Sequence, residues 1–129
     1  MQVIRRATDR ITATGELAED CYDPDVEYKA QPDGPVQTIY RGLPGLHRSL
    51  DSLKEAWAEI GIEVRELIET DEAVVAVLHF QLRGHASGIE LEVDQGWAVW
   101  MRAGKIRRIE QHATRQDALD AVGGGRRDA

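Results

Sequence analysis

Residues 89–112, IELEVDQGWAVWMRAGKIRRIEQH, decide the fold. Ile89, Leu91, Val93, Trp97, Val99 and Met101 occupy odd positions, and Glu90, Glu92 and Asp94 alternate with them. Successive side chains of an extended chain point to opposite sides, so this pattern predicts a strand with one buried row and one face that begins polar. Gln95 is the polar member of the buried row, beside Trp97. Gly96 is read as a bulge that re-aims its neighbours, among them Asp94. Arg102-Ala103-Gly104 reads as a turn, and residues 105–112 as the returning strand. Thr114 with Asp117 three residues later fits a capping box, which opens a last helix with Ala118, Leu119 and Val122 on its apolar side. Gly123 ends that helix.

Upstream, residues 73–83 read as another strand, in which Val74, Ala76, Leu78, Phe80 and Leu82 alternate with Val75, Val77, His79 and Gln81. Its first half is apolar on both sides, so both faces are expected to be covered there. A strand over 62–69 precedes it across the turn Thr70-Asp71-Glu72. Before that, Leu46, Leu50, Leu53, Trp57 and Ile60 recur every three or four residues, the stripe of a helix running from Pro44 to Ile60. Proline suits a first helical turn, and Gly61 is placed to cap the end. Val3, Ile4, Ala7 and Ile11 predict a first helix over 2–13, and Leu17, Ala18 and Cys21 a short second one ended by Tyr22-Asp23-Pro24. A short strand over 26–30, a loop over 31–37 with two prolines and a glycine, and a strand over 38–41 complete the chain. Residues 124–129 read as a disordered tail, leaving one domain over 1–123. Helices followed by mostly antiparallel strands and a terminal helix describe the α+β class, with a curved antiparallel sheet.

The chain has 129 residues, enough for one real core and too few for two domains. Its 23 acidic side chains against 16 lysines and arginines give a net charge of -7, which argues against a phosphate-backbone partner. No nucleic acid is expected. The single cysteine, Cys21, permits no internal disulfide. No apolar run approaches the roughly 20 residues needed to span a bilayer, and the first residues do not read as a signal peptide. A cytoplasmic protein with no membrane partner is the expectation. No two histidines have ligand spacing with a carboxylate or cysteine, so neither a metal nor another cofactor is expected.

Several pieces resemble one family: Tyr22-Asp23-Pro24-Asp25-Val26-Glu27-Tyr28 after the helical hairpin, Tyr40-Arg41-Gly42 before the long helix, Trp57 late in that helix, Gly104-Lys105-Ile106 at the last hairpin, and residues 115–119 in the tail. Their order and spacing resemble the SnoaL-like, ketosteroid-isomerase-like branch of the nuclear transport factor 2 superfamily. The resemblance implies a cystatin-like cone, in which a curved sheet wraps helices around an internal pocket. It implies no single reaction, because the fold hosts isomerases, cyclases, hydrolases, dehydratases and plain binding modules. The steroid isomerases of the family use a carboxylate base, a tyrosine and a protonated acid. Those positions map at or near Ala30, Thr8 and Trp97, so that mechanism is not expected. Neither the inward carboxylate of the family's cyclases nor the Asp-Arg-Asp relay of its epoxide hydrolases is placed by the sequence.

The expected pocket is lined by Tyr28, Trp57, Leu78, Phe80, Trp97 and Gln111. For Trp57 plain core packing is the stronger competing reading. Tyr28, facing inward with Ala30, is the best single donor for a ligand carbonyl. The catalytic residue is unknown, and Tyr28, Asp94 and His112 are the weak candidates. Asp94 competes with a solvated outer face, and His112 with a place outside the pocket if Ile109 and Gln111 are the inward pair. His79 is expected on the outer face, and His47 and His85 in solvent. The resulting function is binding, with conversion left open, of a small hydrophobic or polyketide-like molecule. The alternative is a non-catalytic dimerisation or accessory module with an incidental cavity. Trp100, Ala98, Val75 and Val77 lie on the outer face and would form an exposed apolar patch on a monomer, so a homodimer through that face is expected.

Overall fold

The computed structural model describes residues 2–30, 38–71, 73–86 and 88–123. The expected loop over 31–37 and the tail over 124–129 lie outside them. Three helices, α1 (Gln2–Thr14), α2 (Gly42–Ala56) and α3 (Arg115–Gly123), accompany six strands: β1 (Tyr22–Ala30), β2 (Thr38–Arg41), β3 (Glu59–Glu69), β4 (Val74–Arg83), β5 (Glu90–Arg102) and β6 (Lys105–His112). They form one open sheet in the order β2-β1-β6-β5-β4-β3. The expected antiparallel sheet is in fact mixed, because β1 joins β6 in parallel. The short second helix reduces to a single 3-10 turn, Glu19–Cys21, and β1 begins directly after it, four residues earlier than expected. Pro24, which has no amide proton to donate, sits in the part of β1 where its register against β6 shifts.

Bulges explain how a period-2 pattern becomes a wrapped sheet. In β6, Arg107 is the extra residue between the pairs Trp100↔Arg108 and Met101↔Ile106. It lets Ile106 and Ile109, three positions apart, both enter the same core. In β3, Arg65 plays that part, so Val64 and Leu67 both pack inward. An extra residue on one strand bends it and increases its twist, which curves the sheet around α1 and α2. Gly96 is not a bulge: β4 and β5 pair without interruption from Val74↔Val99 to Arg83↔Glu90. Its role is close approach. A Cβ at Gly96 would lie 2.4 Å from the Thr114 carbonyl oxygen, where the chain leaves β6 to enter α3. Gly45 does the same for α2, since a Cβ there would lie 2.9 Å from the Tyr40 backbone.

The long helix ends at Ala56, earlier than its stripe suggests. Trp57 is already extended (φ -133°, ψ 134°), and the Ala58 amide donates to the Arg83 carbonyl at 2.7 Å. Pairing of β3 with β4 therefore overrides the helical spacing of Trp57 and Ile60, and Gly61 is a strand residue opposite Gln81 rather than a cap. Helix α1 is tied to β3 through Thr12, whose Oγ1 accepts from the Ile62 amide at 3.0 Å.

The core has two parts. The larger lies on the concave face, with Ile4, Ala7, Val26, Leu46, Ile62, Leu78, Val99 and Ile109 among its buried members. The smaller lies on the opposite face, where Ala118 and Val122 of α3 cover Ala73, Val75 and Ala98. Each methylene taken from water there contributes about 0.8 kcal/mol. This corrects the expected exposed patch: Val75 and Ala98 are fully buried within the monomer, and only Val77 and Trp100 remain half-buried. The Thr114 Oγ1 accepts from the Asp117 amide at 3.0 Å and so caps α3, as its sequence predicts. At the far end of the buried row the structure differs again. Ile89 (63% exposed) and Leu91 (45%) stay largely exposed at the start of β5.

Candidate functional site

The concave face encloses a cavity of about 320 Å³. Its roof comes from Ile11 and Leu17 at the end of α1 and from Leu46, Ser49, Leu50, Ser52 and Leu53 of α2. Its floor comes from alternate residues of every strand in the sheet, among them Tyr28 and Ala30 of β1, Tyr40 of β2, Ile62 of β3, Phe80 of β4, Val93, Gln95 and Trp97 of β5, and Gln111 of β6. Of the residues expected in the lining, Tyr28, Phe80, Trp97 and Gln111 are there. Leu78 and Trp57 are not: Leu78 is fully buried in the concave-face core, and Trp57, displaced from the helix stripe, packs half-buried against that core.

Four aromatic rings form a continuous row across the floor. Tyr40 stacks on Tyr28 (centroids 5.7 Å apart, planes at 18°), Tyr28 stacks on Trp97 (5.5 Å, 29°), and Trp97 meets Phe80 at a tilt (5.9 Å, 35°). Centroid separations of this size are the favourable range for offset rings. Beside the row runs a chain of neutral hydrogen bonds. The Tyr28 hydroxyl donates to Gln111 Oε1 (3.3 Å), Gln111 Nε2 donates to Gln95 Oε1 (2.8 Å), and Trp97 Nε1 donates to the same Gln95 oxygen (2.8 Å). Burial pushes the Tyr28 and Tyr22 phenols well above their usual range, so both remain protonated and uncharged. Gln95, Tyr22 and Tyr40 were not among the expected ligand contacts. For Gln95 the signal was present, as the one polar residue of the buried row.

No carboxylate, imidazole, amine or guanidinium lines the cavity among the described residues. The ionisable candidates lie on the other side of the sheet. Asp94 alternates with the cavity residues Val93 and Gln95, and its Oδ1 meets His79 Nδ1 at 2.6 Å on the outer face. Glu92 holds the other ring nitrogen of His79 at 2.9 Å. His112, paired with Gly96 across β5 and β6, is buried with Glu110 on the side that α3 approaches, its Nε2 3.2 Å from Glu110 Oε1. Arg108 also binds Glu110 and lies over the Trp100 ring at 4.8 Å. Neither Asp94 nor His112 lines the cavity. His47 and His85 are exposed, as expected, against Glu19 and the Lys54 carbonyl respectively.

A second, wider groove shares Ile11 and Leu82 with the cavity and carries Lys54, Glu59, Arg83, Glu90 and Glu92 on its walls. It is larger, and its cationic and anionic side chains are interspersed. The concave-face cavity is the better candidate, because it combines apolar walls with a few convergent polar groups. Among the described residues no group of three or more His, Cys, Asp or Glu side chains is placed to hold a metal ion, and no helix is long and apolar enough to cross a membrane.

The fold is shared with several solved structures. TerC, co-crystallised with polyporic acid, is 18% identical, with 94% of this chain and 95% of that one covered at a TM-score of 0.72. An NTF2-like protein of unknown function from Burkholderia pseudomallei K96243 is 15% identical (92% and 93% covered, TM-score 0.74). A Catenulispora acidiphila protein with a ketosteroid isomerase-like fold, in complex with trimethylamine, is 10% identical (95% and 92%, TM-score 0.75). No curated protein matches the sequence. The SnoaL-like domain model matches residues 4–109, a span that holds most of α1, all of α2, β1 to β5 and every cavity-lining residue but Gln111, and on that match this chain belongs to the SnoaL-like family.

Proposed function

We propose that this protein binds a small, flat, hydrophobic molecule of polyketide-like character in the concave cavity, and that it does so without proton-transfer catalysis by a carboxylate or histidine. The observation that carries this reading is the lining: a row of four aromatic rings with amides and phenols, and no group that changes charge near neutral pH among the described residues. Abstraction of a proton next to a carbonyl needs a base within hydrogen-bond reach of it. Ala30 and Trp97, at two of the positions that carry steroid isomerisation in relatives, do line the cavity, and neither can serve as base or acid. Thr8, at the third, bonds back to the Ile4 and Arg5 carbonyls within α1. Aromatic rings and a few fixed polar groups are what a flat ligand requires for affinity and orientation.

The test is equilibrium binding of polycyclic aromatic ketones to the protein and to Ala30→Trp, whose added ring would fill the cavity from β1. Binding by the parent and its loss in a folded variant support the reading. Equal binding by both would place the ligand elsewhere. A Δ5-3-ketosteroid is expected to remain unturned; turnover would reinstate acid–base chemistry. The same proposal includes a cytoplasmic setting, in which the chain's single cysteine, Cys21, would persist as the free thiol the structure shows. It also includes a homodimer through the outer face, for which the support has shrunk to the half-buried Trp100 and Val77. A monomer mass by light scattering would remove the dimer from it.

A further inference from the structure

The hydrogen-bond chain on the cavity floor has a direction, and Trp97 sets it. An indole nitrogen donates and never accepts. Gln95 must therefore turn its oxygen toward Trp97 Nε1, 2.8 Å away, and its amide nitrogen away from it. That same oxygen lies 2.8 Å from the Gln111 side chain, where a second oxygen would repel it, so Gln111 presents its amide nitrogen. Gln111 Oε1 then faces Tyr28, whose hydroxyl has to donate into the chain. One donor-only residue thus fixes the orientation of two amides and a phenol.

The consequence lies in what is left for a ligand. Gln95 Oε1 accepts from both neighbours, while no partner for Gln95 Nε2 occurs among the described residues; one N–H of Gln111 Nε2 is likewise uncommitted. The Tyr28 proton is committed to Gln111, which leaves Tyr28 an acceptor. We infer that Trp97 poles this cavity so that it offers amide N–H donors from Gln95 and Gln111, and so selects neutral ligands carrying an exposed acceptor oxygen, a ketone or quinone carbonyl. This rests on the proposed binding of a flat hydrophobic molecule and names the group by which that molecule is held. It also reverses the expectation for Tyr28, which is no longer the donor for the carbonyl. A ligand carboxylate would be excluded for a different reason, since no cation among the lining residues offsets its desolvation.

A matched series of probes tests the polarity: 9-fluorenone, which carries the carbonyl, and fluorene, which has the same ring frame without it. Binding of each is followed by tryptophan fluorescence and checked by equilibrium dialysis. The parent protein is expected to prefer fluorenone by about tenfold, the range in which a well-placed hydrogen bond acts. Gln95→Leu should reduce the preference to what the Gln111 donor alone supports, and Trp97→Phe should also reduce it, because Gln95 is then free to turn its oxygen inward. In Tyr28→Phe the affinity for both probes should fall while their ratio is kept. Gln95→Glu is the second variant: it keeps the shape and the Trp97 acceptor but removes the Gln95 donors, so it should lower the preference as well. Loss of the preference in Tyr28→Phe with its retention in Gln95→Leu would overturn the inference and make Tyr28 the donor. Equal affinity of the parent for both probes would overturn it too, while leaving the binding reading intact. Binding of neither probe would overturn both.

Discussion

The two faces of β5 are built from the same thirteen residues and do opposite things. Toward the helices α1 and α2 it turns Val93, Gln95 and Trp97, which are apolar or neutral and enclose a cavity. Toward the other side it turns Glu92, Asp94, Gly96 and Ala98. The first two hold His79, and the last two lie where β6 and α3 cross the strand. Charge and titration are thus confined to the outside, and the inside is kept neutral. The contrast teaches that in this chain ionisable residues support the outer face of the sheet, and the cavity presents stacked rings and hydrogen-bonded amides.

Substitutions on the two faces should separate this division cleanly. The largest effect belongs to the inside. Leu78→Ala removes a fully buried side chain from the concave core and should cost about 2–5 kcal/mol in chemical denaturation. A near-parental midpoint would show that Leu78 borders free space after all. Trp57→Ala should cost less, about 2 kcal/mol, since the ring is only half-buried and outside the cavity. On the outer side, Gly96→Ala forces a methyl against the Thr114 carbonyl, which is backbone and cannot rotate away; about 1–3 kcal/mol of destabilisation is expected, together with loosened protection of α3 amides in hydrogen exchange. If α3 protection is unchanged, the helix is not held where Gly96 admits it.

The smallest effect is electrostatic. The hydrogen bond from Asp94, joined by that from Glu92, raises the His79 pKa above its ordinary value of 6.5, outweighing the desolvation that opposes it. The folded state therefore binds this proton more tightly than the unfolded chain. The stabilisation is fully present below pH 6.5 and fades as pH rises through the higher folded value. His79→Gln should flatten that part of a melting-temperature profile. An unchanged slope would mean that the pair of carboxylates does not grip the ring in solution.

Much of the fold was legible because its periodicities are strong. The alternation across 89–101, the capped end at Thr114 and the stripe of Leu46, Leu50 and Leu53 all report directly on backbone geometry, and each reappears in β5, α3 and α2. Trp57, Ile60 and Gly61 misled because helical spacing is only a local preference, and the partner strand β4 outbid it through ten cross-strand pairs, interrupted only at Arg65. Ile89 and Leu91 show the reverse limit: alternation says which residues share a face but not how far along it anything packs. The covering of Val75 and Ala98 by α3 was equally out of reach, since an apolar helix side names no docking site. In the cavity, Tyr28, Phe80, Trp97 and Gln111 stand on the inward face that alternation assigns them, while the pocket itself was implied by the family resemblance. The direction of their hydrogen bonds depends on which atoms meet across strands far apart in sequence, and only the structure supplies that.

One measurement bears most directly on the division between a neutral cavity and a charged outer face. In a ¹⁵N-resolved NMR titration with 9-fluorenone, the indole N–H of Trp97 and the side-chain amides of Gln95 and Gln111 report on the cavity, and the ring of His79 reports on the outside. Shifts at Trp97, Gln95 and Gln111 that saturate together, with the His79 signals unmoved, are the predicted result. Saturating shifts centred on His79 and the backbone of Glu92 and Asp94, with Trp97 unperturbed, would contradict the account.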